Sequence, residues 1–225
     1  LYKNRRGVYM VTTSSIGSGK KVNVGQSFAN GMAALQTIQK EKFVIVDESV
    51  KEVRPYMVAF MIAGKPIDDA MLKDIIQTQE KLAWNFGRKR KSISMGLYRV
   101  DQIEFPVKYH AVDPDKTSFV PLACEAPMTC RQILTEHPKG KDFGWILADC
   151  KKFPLLSDAK GEVMSMAPII NSATLGAVQV GDKDLMVELT GDNIENLILS
   201  ANIVACDFAD QGYEIKPILV KHPYD

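Results

Sequence analysis

The stretch Leu185-Met186-Val187-Glu188-Leu189-Thr190-Gly191 decides how this chain folds. Period-two alternation puts Leu185, Val187 and Leu189 on one face and Met186 with Glu188 on the other. Both faces are apolar apart from one carboxylate. That pattern predicts a strand whose Glu188 either meets solvent or is set deliberately in a pocket. Just upstream, Gly176 to Val180 followed by the turn Gly181-Asp182-Lys183-Asp184 reads as the first arm of a hairpin with it. A second hairpin is predicted from Phe153 to Met166, with Asp158-Ala159-Lys160-Gly161 as its turn. It runs into Met166-Ala167-Pro168-Ile169-Ile170-Asn171-Ser172. Proline there ends or bulges the strand, and Asn171 tolerates the awkward backbone that follows and can expose its amide at a sheet end. A structural turn and a functional loop are both consistent with that block.

Further out, Phe43 to Val46 reads as a strand, and Tyr56 to Ile62 as a strand buried on both faces. Ser92 to Met95 and Val107 to His110 look extended. Asp68 or Asp69 caps a helix whose face carries Met71, Ile75, Leu82 and Phe86, with Gly87 as a left-handed C-cap. Thr129 and Gln132 form a capping box. Asp192-Asn193 caps a final helix that buries Ile194, Leu197, Ile198, Ala201, Ala205 and Phe208. Ile215 to Val220 closes the chain as one strand. Near the N-terminus, Ser14 to Lys20 reads as a loop and Phe28 to Gln39 as a short helical stripe. The whole is α+β with mostly antiparallel strands, not a regular βαβ alternation.

Composition sets limits. Of 225 residues 46% are hydrophobic and 24% charged, with 28 Lys plus Arg against 27 Asp plus Glu, a net charge of +1. That balance argues against a chain that coats nucleic acid, DNA included, or lies on an anionic membrane. No stretch approaches the ~20 apolar residues that span a bilayer. The cysteines Cys124, Cys130, Cys150 and Cys206 lack Cys-x-x-Cys spacing and read as reduced thiols of a cytoplasmic protein. His110, His137 and His222 lack metal-ligand spacing, so no metal site is expected. The first residue is Leu1 rather than Met, which reads as a fragment, a processed chain or a chain whose start is unseen.

Chemical motifs are few. Gly17-Ser18-Gly19-Lys20 fails as a phosphate loop, because Ser14 and Lys21 stand where glycine and Ser or Thr are needed. Arg88-Lys89-Arg90-Lys91 is either a solvated helix end complementing the dipole or a phosphate contact. No Ser/His/Asp arrangement, Cys/His pair or catalytic-metal motif is legible.

Several segments together resemble a known family. They are Arg54-Pro55-Tyr56-Met57-Val58-Ala59, Gln79 to Asn85, Arg88-Lys89-Arg90, Gly96 with Asp101, Pro154 to Asn171 and Leu185 to Gly191. In order and spacing they resemble the B3/B4 editing domain of the phenylalanyl-tRNA synthetase β subunit in its archaeal and eukaryotic form. The resemblance runs from about Val53 to the C-terminus; residues 1–45 match poorly, with Gly25-Gln26-Ser27-Phe28 where the family has an Asn-Arg-x-Asp segment. The resemblance implies a three-layer β/β/α sandwich, with residues 46–225 as the editing domain and 1–45 packing on it. It implies hydrolysis of tyrosine wrongly esterified to phenylalanine tRNA, by a positioned water. A pocket for phenylalanine rejects an added hydroxyl by only ~10², whereas one that hydrogen-bonds the phenol selects tyrosine strongly. Carried over by position, Asn171, Glu188 and Ser165 would be the catalytic group. Leu156, Pro168 and Thr190 would bind substrate, and Arg88, Lys89 and Arg90 would touch tRNA. The partners implied are the misacylated 3′ end of the tRNA, the synthetase α subunit and the remaining β domains. ATP and Mg²⁺ would belong to the full synthetase, since this chain carries no cofactor motif and no aminoacylation site. The alternatives are a free-standing deacylase acting in trans, and a non-catalytic module that positions tRNA or joins subunits.

Overall fold

Leu185–Gly191 is buried along its whole length and is paired on both edges. The computed structural model describes residues 2–3, 8–10 and 42–224. The first elements are β1 (Tyr2–Lys3), β2 (Val8–Met10), β3 (Phe43–Val46), β4 (Tyr56–Ala63), α1 (Asp69–Trp84), β5 (Ile93–Arg99) and β6 (Val107–Val112). A short ribbon, β7 (Ser118–Phe119) and β8 (Met128–Thr129), leads into α2 (Cys130–Glu136) and α3 (Pro138–Phe143). Then come β9 (Phe153–Ser157), β10 (Val163–Met166), β11 (Ile170–Asn171), β12 (Leu185–Gly191), α4 (Ile194–Asp210), β13 (Glu214–Pro217) and β14 (Leu219–Lys221).

Two sheets stack face to face. One has four strands in the order β13-β4-β12-β5, all antiparallel. The other has eight, β1-β2-β14-β3-β6-β9-β10-β11, with β3 parallel to both β14 and β6 and the other pairs antiparallel. The alternation along β12 divides the core. Leu185, Val187 and Leu189 pack with Met71, Ile75 and Leu82 of α1 and Leu197, Ala201 and Val204 of α4. Met186, on the opposite face, packs with Met57, Tyr98, Tyr109 and Leu156 between the sheets. This is the expected three-layer sandwich of two β layers and one helical layer. A smaller cluster, in which Cys130, Ile133 and Leu147 meet Phe153 and Leu155, covers part of the far face of the larger sheet.

The caps follow local chemistry. Asp68 accepts from the Met71 N–H at 2.7 Å and Asn193 from the Asn196 N–H at 2.9 Å. Thr129 and Gln132 bond reciprocally, at 3.1 and 2.9 Å. All four cysteines are free.

Several expectations need correction. Gly176 to Val180 forms no strand, because β4 and β5 already occupy both edges of β12. Ile215 to Val220 is split between two sheets, with Ile218 buried at the crossing. The proposed division at 45/46 falls inside β3, an interior strand of the larger sheet. The segments Ser14 to Lys20 and Phe28 to Gln39 lie outside the described residues. Phe86 is exposed because α1 ends at Trp84, before the helical period reaches it.

Gly87 is not left-handed. A Cβ there would run into the backbone of Ala83 and Ile93, so glycine serves close approach. The left-handed residues of this turn are Arg88, Lys89 and Arg90, at φ 48, 54 and 73°. Each costs roughly 1–2 kcal/mol relative to ordinary backbone. Arg54 holds that turn. Its buried guanidinium donates to the carbonyls of Lys91 (2.6 Å), Arg90 (3.2 Å) and Thr190 (2.6 Å), and to the hydroxyls of Thr190 (3.0 Å) and Ser94 (3.1 Å).

Replacing Arg54 by Met would strand three carbonyls and should destabilise the fold by about 3–5 kcal/mol. Arg54→Lys should recover less than half of this, because an ammonium cannot reproduce the planar fork. Urea denaturation midpoints measure both; a loss below about 1 kcal/mol in R54M would contradict this role.

Candidate functional site

The register builds the site. Tyr109, Leu156, Ser165 and Asn171 are successive cross-strand partners on β6, β9, β10 and β11. Directly paired residues share a face, so they form one row, and Tyr109 and Leu156 place that row toward the smaller sheet. On the smaller sheet, Ala59, Glu188 and Gly96 form the opposing row. The register of β9 against β10 shifts between Val163 and Ser165, a bulge of the kind that re-aims side chains beside functional sites. Where the rows reach the outer strands β5 and β11, the space between the sheets opens as a cleft of about 630 Å³. Ser165, Pro168, Asn171 and Glu188 line it, with Met95, Leu97, Gln79, Arg90 and His137 among the other walls.

Glu188 sits on the floor, 3% exposed. The Tyr98 hydroxyl lies 3.1 Å from its Oε1 and 2.8 Å from Ser165 Oγ. A phenol has one proton, so when Glu188 is ionised Tyr98 donates to it and Ser165 donates to Tyr98. Oε2 is buried with no hydrogen-bond partner. A Cβ on Gly96 would lie 2.5 Å from the Tyr98 hydroxyl and 2.6 Å from Glu188 Oε1, so only glycine leaves room for the pair. Burial pushes the Glu188 carboxyl up to about 7, against the lowering effects of the Tyr98 hydrogen bond and the Arg54 charge. Burial, followed by the Glu188 charge, drives the Tyr98 phenol well above its ordinary range.

The other residues named from the sequence separate. Asn171 is half-buried at the rim and its Nδ2 donates to the Gly176 carbonyl at 3.3 Å; a Cβ on Gly176 would strike the Asn171 side chain. Leu156 is fully buried between the sheets and does not line the cleft. Thr190 is also outside it, bracketing Arg54 and Ser94. Arg90 turns inward, donating to the carbonyls of Pro168 (3.3 Å) and Ile169 (3.1 Å) while its guanidinium stacks 4.2 Å from the Phe143 ring centre. It latches the Pro168–Asn171 loop. Arg88 and Lys89 are exposed, Lys89 lying 5.0 Å over Trp84.

Sequence reading passed over Arg54, Tyr98, Gly96 and His137 as functional groups. An arginine beside an apolar strand and a glycine within one were the available signals. His137 accepts the Lys139 N–H on Nδ1 at 3.1 Å, which leaves Nε2 as the protonated nitrogen of the neutral ring. A Ser–His contact does exist, Ser157 Oγ to His110 Nε2 at 3.1 Å, but neither residue lines the cleft. Among the described residues, no group of three or more His, Cys, Asp or Glu could hold a metal ion. The cleft thus offers an apolar slot ending in one carboxylate, with polar groups at its rim. This suits recognition of a ring bearing a hydrogen-bond donor.

The native state keeps a proton on Glu188 at pH values between about 4.5 and 7, where the unfolded chain has lost it. Stability should therefore fall as pH rises through that window, by roughly 3 kcal/mol from this group. Glu188→Gln, which keeps the shape without the charge, should exceed the wild type in urea midpoint at pH 8, with the gap shrinking toward pH 5. An equal gap at both pH values would contradict a buried, titrating Glu188.

The β subunit of phenylalanine–tRNA ligase from Treponema pallidum is 43% identical over 182 residues, covering 81% of this chain and 30% of that protein. Its counterpart from Thermococcus sibiricus is 37% identical over 207 residues, covering 92% of this chain and 37% of that protein. The crystal structure of an N-terminal fragment of the phenylalanyl-tRNA synthetase β subunit from Pyrococcus horikoshii superposes with a TM-score of 0.78 at 36% identity, covering 81% of this chain and 52% of that one. No protein-family profile matches the chain. No helix among the described residues is long and apolar enough to cross a membrane. The chain spans about a third of the length of these curated relatives. By sequence and by fold together, the chain is similar to part of the phenylalanine–tRNA ligase β subunit, over about a third of the length of those relatives.

Proposed function

We propose that this chain is the editing part of a phenylalanine–tRNA ligase β subunit and hydrolyses tyrosine mistakenly esterified to phenylalanine tRNA. The observation that carries this reading is Glu188, a carboxylate buried at the floor of a mostly apolar cleft with Oε2 unpartnered. The tyrosine ring enters the slot and its phenolic O–H donates to Glu188. Phenylalanine fills the same slot but leaves the carboxylate unpaired, so the site discriminates by what it leaves unsatisfied. Asn171 at the rim holds the ester end, and Ser165 supports Glu188 through Tyr98. The attacking group is water, oriented by rim groups and by the terminal ribose. Arg88 and Lys89 face the polyanionic acceptor end, while the tRNA body and the α subunit are engaged by the rest of the ligase. Activation with ATP and Mg²⁺ lies outside this chain.

Amino-acid release from Tyr-tRNA(Phe) and Phe-tRNA(Phe) tests the reading. Tyrosyl ester should be cleaved faster, and Glu188→Ala should reduce the preference by about tenfold or more, the worth of a charge-assisted hydrogen bond. The preference should also weaken as pH falls through about 7, where Glu188 takes up its proton. Equal release of both amino acids by the wild type would remove the proposal.

Asn171→Ala should slow release of tyrosine while leaving the Tyr-to-Phe ratio near its wild-type value, because it acts at the ester end. A changed ratio with an unchanged rate would move Asn171 from the ester to the ring.

A further inference from the structure

We propose that Tyr98 is a positioning residue that sets the specificity of this site, holding Glu188 so that one carboxylate oxygen is spent internally and the other alone is left for a ligand's hydroxyl. This rests on the editing reading above. The geometry is direct. Tyr98 contacts Glu188 Oε1 at 3.1 Å and is itself held by Ser165 at 2.8 Å, across the gap between the sheets. Tyr98 and Glu188 stand on adjacent strands, Tyr98 opposite Met186 and Glu188 opposite Gly96. The missing Cβ of Gly96 is what lets the phenol reach back across the strand to the carboxylate. Oε2 has no partner. A freely rotating carboxylate would offer either oxygen at several angles. With Oε1 fixed, the acceptor has one position and one direction, so a ring must place its hydroxyl there. Preorganisation of this kind raises selectivity without adding a contact to the ligand.

The same arrangement tunes the acid. Arg54 and Tyr98 are the titratable groups that act on Glu188 from within the core, and the Glu188 charge in turn raises the Tyr109 phenol. Glu80, Arg90, His137 and Lys139 line the cleft outside it. Of these, Tyr98 is the hydrogen-bond donor to Glu188 and favours its ionised form.

The test uses the whole chain and two readouts. Tyr98→Phe keeps the ring and deletes the hydroxyl. The carboxyl titration of Glu188, followed by ¹³C NMR in the free protein, should move upward from about 7. The acid limb of the Tyr-tRNA(Phe) hydrolysis profile should move with it, and the Tyr-to-Phe preference should fall by about tenfold. Site-specific replacement of Tyr98 by 3-fluorotyrosine, a stronger donor of nearly the same size, should move the titration downward; it carries the test if the Phe variant does not fold. Unchanged titration and unchanged preference in these variants would overturn the role of Tyr98 while leaving the editing reading intact. Absence of selective release in the wild type would instead remove the editing reading, and the titration would still decide whether Tyr98 holds Glu188.

Discussion

The buried guanidinium of Arg54 is the interaction on which the rest of this structure depends. It stands just before β4 and reaches the left-handed turn after α1, the last residues of β12 and the start of β5. A buried cation is tolerable only when its donors are satisfied, and here backbone carbonyls and two hydroxyls supply that. In return, three residues stay in a backbone region that L-residues avoid. Arg90, at the end of the turn, is thereby aimed at the carbonyls of Pro168 and Ile169. One arginine thus fixes a second, and the second fixes the loop that carries Asn171.

Arg54 also bears on the floor of the cleft. Its charge favours ionisation of Glu188, whereas burial opposes it, and the carboxyl settles near 7. An isolated carboxylate in this apolar setting would take up a proton and lose its value as an acceptor. The Tyr98 hydrogen bond and the Arg54 field together keep a useful fraction ionised at neutral pH. The cost is borne by stability, because burying that charge without a full set of partners is unfavourable. Functional sites often hold such unfavourable groups within an otherwise consistent fold.

The charge balance of the chain takes on a narrower meaning in this setting. A net charge of +1 makes a poor grip for a whole tRNA. A site that takes one amino-acid side chain and the end of one strand needs only a slot, a carboxylate and a few local cations. Of the basic run after α1, Arg88 and Lys89 are exposed, and Arg90 is used by the fold itself.

Local pattern determined much of this protein. The period-two alternation of Leu185 to Leu189 assigned its faces correctly, since a strand's side chains must alternate whatever it pairs with. The caps at Asp68, Thr129 and Asn193 were legible for a similar reason: orphan N–H groups at a helix start need an acceptor within a few residues. Glu188 and the Pro168–Asn171 block carried local signals that left a structural and a functional reading open; family resemblance chose between them and added Ser165, and the fold brings all four residues to one cleft. What only the tertiary structure decided are the relations between distant segments. The partners of β12 are β4 and β5 rather than its neighbour in sequence. Leu156 and Thr190 lie outside the cleft, and Arg88, Lys89 and Arg90 part ways. Tyr98 meets Glu188 across 90 residues of chain and Arg54 meets Thr190 across 136. Side-chain period and capping act within a few residues and are written locally. Burial, hydrogen-bond satisfaction and pKa depend on what packs from far along the chain, which local pattern does not encode.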